Sequence, residues 1–274
     1  MGGTGPATGS LARLHRPELQ GLRAVAVTLV VVYHVWFGRV SGGVDVFFVV
    51  SGFLLTGQLV RAADRGPLAL GRRWRRMLVR LLPCAVVVLM TTVVAGMLLL
   101  PEGRWPQTLR EVAAAAVFLE NWQLAAGAVD YAARSNMASP VQHFWSLSIQ
   151  GQFFLVWPLL VAPVALAARG DTARVRAHLT VAMLGVFAAS LTFSVVLTAT
   201  NQPLAYFHSL TRLWEFAVGG LLALTIDTVR LPHHARVHMG CVGLAGLLAC
   251  GAVLRVGTVF PGVAALWPLS LIHI

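Results

Sequence analysis

Arg23 and His34 stand eleven positions apart inside one apolar run. Ionisable side chains are costly in such a run, and where they occur they mark function. At about 100° per residue, eleven positions return to nearly the same helix face, and the two side chains lie about 16 Å apart along the axis. They cannot touch, but they can line one buried cavity at two depths. An imidazole so placed serves as a general base near neutral pH; the alternative is a packing histidine bonded to a backbone carbonyl. A second patterned block follows directly, Gly42-Gly43-Val44-Asp45-Val46-Phe47-Phe48-Val49-Val50-Ser51-Gly52-Phe53. Asp45 is the one acid near the start of that run, placed either to partner His34 or to cap a helix. Ser51 offers a hydroxyl nucleophile or a small packing residue, and the glycines permit close helix approach. Further along, Arg212 and Glu215 fall three residues apart on one helix face, either paired with each other or facing a ligand.

The elements that must position these groups are membrane helices. The 274 residues are 57% hydrophobic and 11% charged, where a soluble domain carries about 25% charge. The mean hydropathy is +0.76. The formal charge of +11 comes from arginine, for the chain contains no lysine. Its arginines sit in short segments between apolar runs, which excludes a nucleic-acid-binding face. Cys84, Cys241 and Cys250 form no CxxC and fall in apolar runs, which argues for small packing residues rather than a disulfide or a metal site.

At about twenty residues per crossing, the chain reads as an all-α, polytopic transmembrane bundle of about eight spans. They are placed near Leu19–Phe37, Val44–Val60, Leu78–Leu100, Phe144–Ala167, Leu179–Thr198, Leu210–Ile226 and Gly240–Leu254, with an eighth from Val259. Lipid-facing strands are excluded because their backbone groups have no partners in hydrocarbon. Basic segments recur at every second crossing: Arg61 to Arg80, Arg169 to Arg176, and Arg230 to Arg236. The positive-inside rule puts these in the cytoplasm, together with the N-terminus. The long segment 101–140, with its four acids, faces outward, and Thr108–Gln123 within it suits a short surface helix. Residues 1–15 read as a disordered cytoplasmic tail and 16–274 as the membrane domain. The run from Val259 to Ile274 is slightly short for a crossing, so the expectation is a membrane domain incomplete at its C-terminus.

The string R-x10-H followed by GGVDVFFVVSGFLLT resembles the opening of the acyltransferase 3 family, bacterial membrane enzymes that O-acylate glycans, antibiotics and other hydroxylated acceptors. Further blocks resemble the family in the same order. They are the arginine-rich run ending Arg80-Leu81-Leu82-Pro83; His143-Phe144-Trp145-Ser146-Leu147-Ser148 with Gln152-Phe153 and Trp157-Pro158; Thr211-Arg212 with Trp214-Glu215-Phe216; and Phe260-Pro261-Gly262. The resemblance runs from about Arg16 to Pro268. Two departures stand out. Gln150-Gly151 occupies the place of paired glutamates, and Gln150 cannot take up and release a proton as an acid does. Three residues, Met77-Leu78-Val79, separate Arg76 from Arg80, one more than in the usual pattern.

The resemblance implies a bacterial plasma-membrane enzyme with no permanent cofactor and no metal, using cytoplasmic acyl-CoA, most often acetyl-CoA, as co-substrate. It implies that Arg76 and Arg80 are placed to meet the CoA phosphates, which guanidinium groups bind bidentately; positive-inside anchoring is the alternative reading of the same run. Arg23 would guide the thioester, His34 would take the proton from an acceptor hydroxyl, and Arg212 would pair with Glu215, contact donor or acceptor, or stabilise charge on the thioester oxygen. A competing reading from the same intramembrane charges is a transporter of an acyl donor or glycan; a third is an inactive fragment.

Overall fold

In the computed structural model the described residues are 17–37, 42–66, 68–129, 139–168, 171–228, 231–253 and 261. Among them the molecule is helical throughout. The helices are α1 (Pro17–Val32), α2 (Gly43–Ala63), α3 (Leu70–Leu99), α4 (Trp105–Ala116), α5 (Glu120–Val129), α6 (Phe144–Ala167), α7 (Thr172–Thr200), α8 (Gln202–Phe207), α9 (Leu213–Thr225) and α10 (His233–Val253). A π-helical turn, Tyr33–Phe37, extends α1, and 3-10 turns at Glu102–Arg104 and Ser209–Thr211 lead into α4 and α9.

Five of these helices are long and apolar enough to cross a membrane: Glu18–Phe37, α2, α3, α6 and a segment of α7, Ala173–Thr200. The sequence reading of about eight spans is therefore met for five. The expected sixth, Leu210–Ile226, is the shorter apolar helix α9, because the chain before Leu213 is taken up by a 3-10 turn. The seventh falls in α10, and the eighth lies outside the described residues. The arginine-rich segment expected as a loop is instead the first third of the 30-residue α3. Nothing in Gly71 to Leu82 breaks a helix, and α3 continues through Pro83. Within residues 101–129 the chain forms two short helices, where the sequence reading expects one. Phe118, at φ 59°, reverses the chain between α4 and α5.

α2 is the central element. Two thirds of its apolar window (67%) is buried, against 17% for the first span and for α3. Small residues explain its closeness to α9. A Cβ added to Gly52 would fall on the Phe216 carbonyl, and one added to Gly219 would fall on the Val49 carbonyl, so only glycine lets the two backbones meet there. The core between α2, α6, α7 and α9 is built on Phe48, Phe153, Trp157, Met183 and Phe216. Phe216 stacks between Phe48 (4.7 Å) and Phe153 (3.9 Å). One of the few polar links inside is Trp157 Nε1–H donating to Thr56 Oγ1 at 2.8 Å. Cys84 and Cys241 are free and lie on exposed faces of α3 and α10 rather than in packed positions.

Candidate active site

Three distant segments converge on the guanidinium of Arg212. Its Nη1 donates to Asp45 Oδ1 at 2.7 Å and to Glu215 Oε1 at 3.0 Å. The three side chains are 1%, 2% and 0% exposed. The guanidinium carbon lies 5.3 Å from the Trp145 ring centre and 5.1 Å from that of Tyr206, a distance at which the ring quadrupoles attract the cation. Removing charges from water is costly unless geometry and hydrogen bonds are good; here two carboxylates and two aromatic faces surround one cation.

Local structure dictates this meeting. Asp45 sits in the first turn of α2, whose start is fixed by Gly42 in the left-handed region at φ 70°. Arg212 closes the 3-10 turn before α9, and Glu215 lies one turn into that helix. The start of α9 is held by α7: Ser190 Oγ donates to Leu210 O (2.5 Å) and accepts from Trp214 N–H (2.9 Å), which satisfies one of the amides a helix start leaves open. Trp145 opens α6, and Tyr206 comes from α8. The guanidinium thus joins the starts of α2, α6 and α9.

Asp45 therefore partners Arg212 and not His34. The mutual pairing of Arg212 with Glu215 is present, but as half of a larger cluster. The reason is geometric: α9 packs on α2 through Gly52 and Gly219, which draws Arg212 onto Asp45.

His34 lies in the π-helical turn, and its ring is exposed among the described residues, where the sequence reading places it in a buried cavity. α1 meets α2 along Ala26, Leu29 and Tyr33; His34 follows Tyr33 by one residue and so points away from that stripe. Its Nδ1 is 3.1 Å from Val30 O. A carbonyl only accepts, so Nδ1 carries a proton and Nε2 is the nitrogen left to face a substrate. π-helical turns occur often at functional positions.

Arg23 is half-buried. It donates to Gln20 Oε1 at 3.3 Å and lies 5.9 Å from the Phe47 ring centre, alongside the end of α2 that holds Asp45. Arg76 and Arg80 are exposed on α3, and Arg76 Nε bonds back to Arg72 O at 3.4 Å. Because this segment is helical, Arg72, Arg76 and Arg80 recur every fourth residue and form one stripe. Neither Arg76 nor Arg80 contacts the Arg212 cluster.

The polar residues of α6 make contacts that sequence reasoning missed. Gln150 Nε2 donates to Ser51 Oγ at 2.6 Å, tying the WSLS block to the SGF block. Gln152 Nε2 donates to Phe118 O (2.7 Å) and Asn121 Oδ1 (2.8 Å), while its Oε1 accepts from Ser209 Oγ (2.6 Å). Asn121 in turn donates to Phe207 O. Thus α5, α6 and the α8–α9 turn are fastened by amide side chains. The signal was an amide pair inside an apolar run, which is costly unless hydrogen-bonded. The place of the second family glutamate is taken by Gly151, and a Cβ there would meet the Phe118 ring at 2.6 Å.

A family model described as "Acyltransferase domain" matches residues 16–273. The chain is 34% identical over 225 residues to "Putative O-acetyltransferase SAS0844" of Staphylococcus aureus (strain MSSA476), covering 80% of this chain and 36% of that protein. It is 30% identical over 244 residues to "Peptidoglycan O-acetyltransferase OatA" of Listeria monocytogenes, covering 87% of this chain and 38% of the relative. The chain thus spans a little over a third of the length of the curated relatives it matches. No solved structure matches it.

Proposed function

The chain belongs to the acyltransferase 3 family, and on that footing we propose that it is an integral membrane O-acyltransferase that moves an acetyl group from cytoplasmic acetyl-CoA to a hydroxyl of a cell-envelope glycan. One observation carries the reading furthest. The blocks that resemble the family are not scattered: Asp45 of the second block, Trp145 of the WSLS block, and Arg212 with Glu215 of the later block meet at one guanidinium. The printed name of the Listeria relative favours a glycan acceptor.

His34 Nε2 takes the proton of the acceptor hydroxyl as its oxygen attacks the thioester carbonyl. The C–S bond then breaks, and the imidazolium returns the proton to the leaving CoA thiolate, so ester and free thiol are the products. General-base help of this kind is worth about 10²–10⁴-fold. The stripe Arg72, Arg76 and Arg80 holds the CoA phosphates on the cytoplasmic side, where the N-terminus also lies. Arg23 guides the thioester. The contacts of Arg212 with Asp45 and Glu215 support a bracing role for it, fixing α2, α6 and α9 around the acceptor side.

The test is transfer of labelled acetyl from acetyl-CoA to a glycan acceptor by the protein in lipid nanodiscs. Ester formed by the wild-type chain and lost in His34→Ala supports the assignment; undiminished ester in the variant rejects His34 as the base. Transport of donor or glycan across vesicles without any ester rejects the enzyme reading.

A further inference from the structure

The outward helices carry a feature that acyl transfer does not use. Glu111 of α4 and Glu120 of α5 are 4% and 0% exposed. Among the described residues both oxygens of Glu120 and Oε2 of Glu111 have no hydrogen-bond partner, while Glu111 Oε1 is engaged by Gln107 Nε2 at 2.9 Å. Val112 and Ala115 of α4 and Phe144 and Leu147 of α6 belong to an apolar cluster on the helices packed against α5. An isolated buried carboxylate costs several kcal/mol, and a carboxyl relieves that cost by holding a proton.

The chain at this point is fastened to α6. Phe118 O accepts from Gln152, the Phe118 ring covers Gly151, and Glu120 N–H donates to Ser148 Oγ at 3.3 Å. Glu120 is thus the first residue of a helix whose start rests on the segment that also supplies Trp145 and Gln150 to the candidate site. Ionising it calls for water at the carboxylate, which separation of α5 from α4 and α6 would admit.

We propose that Glu120 makes the α4–α5 cover a pH-sensitive clamp on the outward end of α6, closed when its buried carboxyl is protonated and loosened when it ionises. Burial first, and the Glu111 charge second, push the Glu120 carboxyl up to about 8. Among the described residues the other titratable or charged groups on elements packed against α5 are His143 at the start of α6, Tyr206 of α8, His208 after it, and Arg104 and Arg110 at the start of α4 and within it. A raised carboxyl means that the closed state binds the extra proton. Closure is therefore fully favoured below about 4.5 and declines as pH rises through about 8.

Hydrogen exchange of residues 105–129 tests this on the whole chain in nanodiscs, and it reads opening rather than ester, so it stands apart from the acyltransferase assignment. Corrected for intrinsic rates, protection of α4–α5 falls between pH 4.5 and 8 by up to about a thousandfold, while α2 and α9 stay protected. Glu120→Gln removes that fall. Glu111→Gln, which relieves the like charge, moves its midpoint to lower pH and serves alone should the first variant not fold. Protection that is flat in the wild type, or equally pH-dependent in Glu120→Gln, overturns the proposal. So does a midpoint unmoved in Glu111→Gln, or a fall abolished by a divalent cation, which would make the pair a metal site.

Discussion

Asp45 and Arg212 are 167 residues apart in the chain and 2.7 Å apart in the fold, with both side chains buried. Their contact joins the second span to the short helix α9 and closes the polar end of the bundle. Breaking a buried ion pair from one side leaves the other charge uncompensated, which costs about 3–5 kcal/mol. Arg212→Met, which leaves Asp45 and Glu215 without their cation, is expected to destabilise the protein by that order in detergent unfolding, and Asp45→Asn, which leaves Arg212 paired with Glu215, by less. The double variant is expected to cost less than the sum, because Glu215 alone is then left without its cation.

His34 is expected to separate function from stability. Among the described residues its ring is exposed and bonds to Val30 O one turn back. His34→Ala should lower acetyl transfer by about 10²–10⁴-fold while leaving stability within about 0.5 kcal/mol. Parallel thermal melts and ester assays on the purified variant check both halves. A melt shifted as far as that of Arg212→Met would mark the ring as structural.

The α2–α9 contact is predicted to be intolerant of a single methyl. Gly52→Ala and Gly219→Ala each place Cβ on a backbone carbonyl of the facing helix, and backbone cannot swing aside as a side chain can. A loss of at least the 1–3 kcal/mol usual for overpacking is expected. Gly21→Ala and Gly185→Ala, where no atom lies within 4 Å of the added Cβ, serve as controls expected to be neutral or slightly stabilising.

Phe118 and Gly151 should behave as a coupled pair. Gly151→Ala meets the Phe118 ring at 2.6 Å and is expected to cost about 1–3 kcal/mol alone. In a Phe118→Gly background the ring is gone, and glycine suits the φ of 59°, so the same alanine should be close to neutral. A double-mutant cycle on unfolding free energy measures the coupling; additive effects would contradict the packing described.

Two histidines give stability an acid limit. Burial lowers both His143 and His208 below their usual range, and His208 Nδ1 accepts the Leu210 N–H at 3.2 Å, which a protonated ring cannot do. For a lowered histidine the folded state binds fewer protons than the unfolded one. The contribution is thus present above pH 6.5 and lost as pH falls through the lowered value. On acidification from pH 7 to 5 the melting temperature of the wild type should fall relative to that of His208→Gln, which lacks this contribution, whatever the opposite trend set by Glu120.

Much of the architecture was legible because lipid imposes a simple rule. A backbone that must satisfy itself in hydrocarbon forms helices of about twenty apolar residues. Phe144–Ala167 was read to the residue, and α2 and the first span to within a few. The arginine run was misassigned to a loop because charge was taken as a boundary, whereas a helix runs on past the apolar limit wherever no residue breaks it. The site was legible by residue type and not by partner. Asp45, Arg212 and Glu215 were marked by their cost in an apolar setting, but Asp45 was offered to His34 as neighbour in sequence. The family resemblance flagged Gln150-Gly151 as a departure and Gln152 as a match, without showing what the two amides hold.

By itself the sequence determined where most of the long apolar helices lie, how basic segments alternate with apolar runs, and which ionisable groups are too expensive to be incidental. These follow from composition and period, which are local. Only the tertiary structure decided that Arg212 meets Asp45, that Gly52 and Gly219 set the α2–α9 distance, that the His34 ring is exposed among the described residues, and that Glu111 and Glu120 are buried. Those outcomes depend on how close two helices can approach and how each is rotated. That is settled by the joint packing of side chains far apart in the chain, which no single stretch encodes.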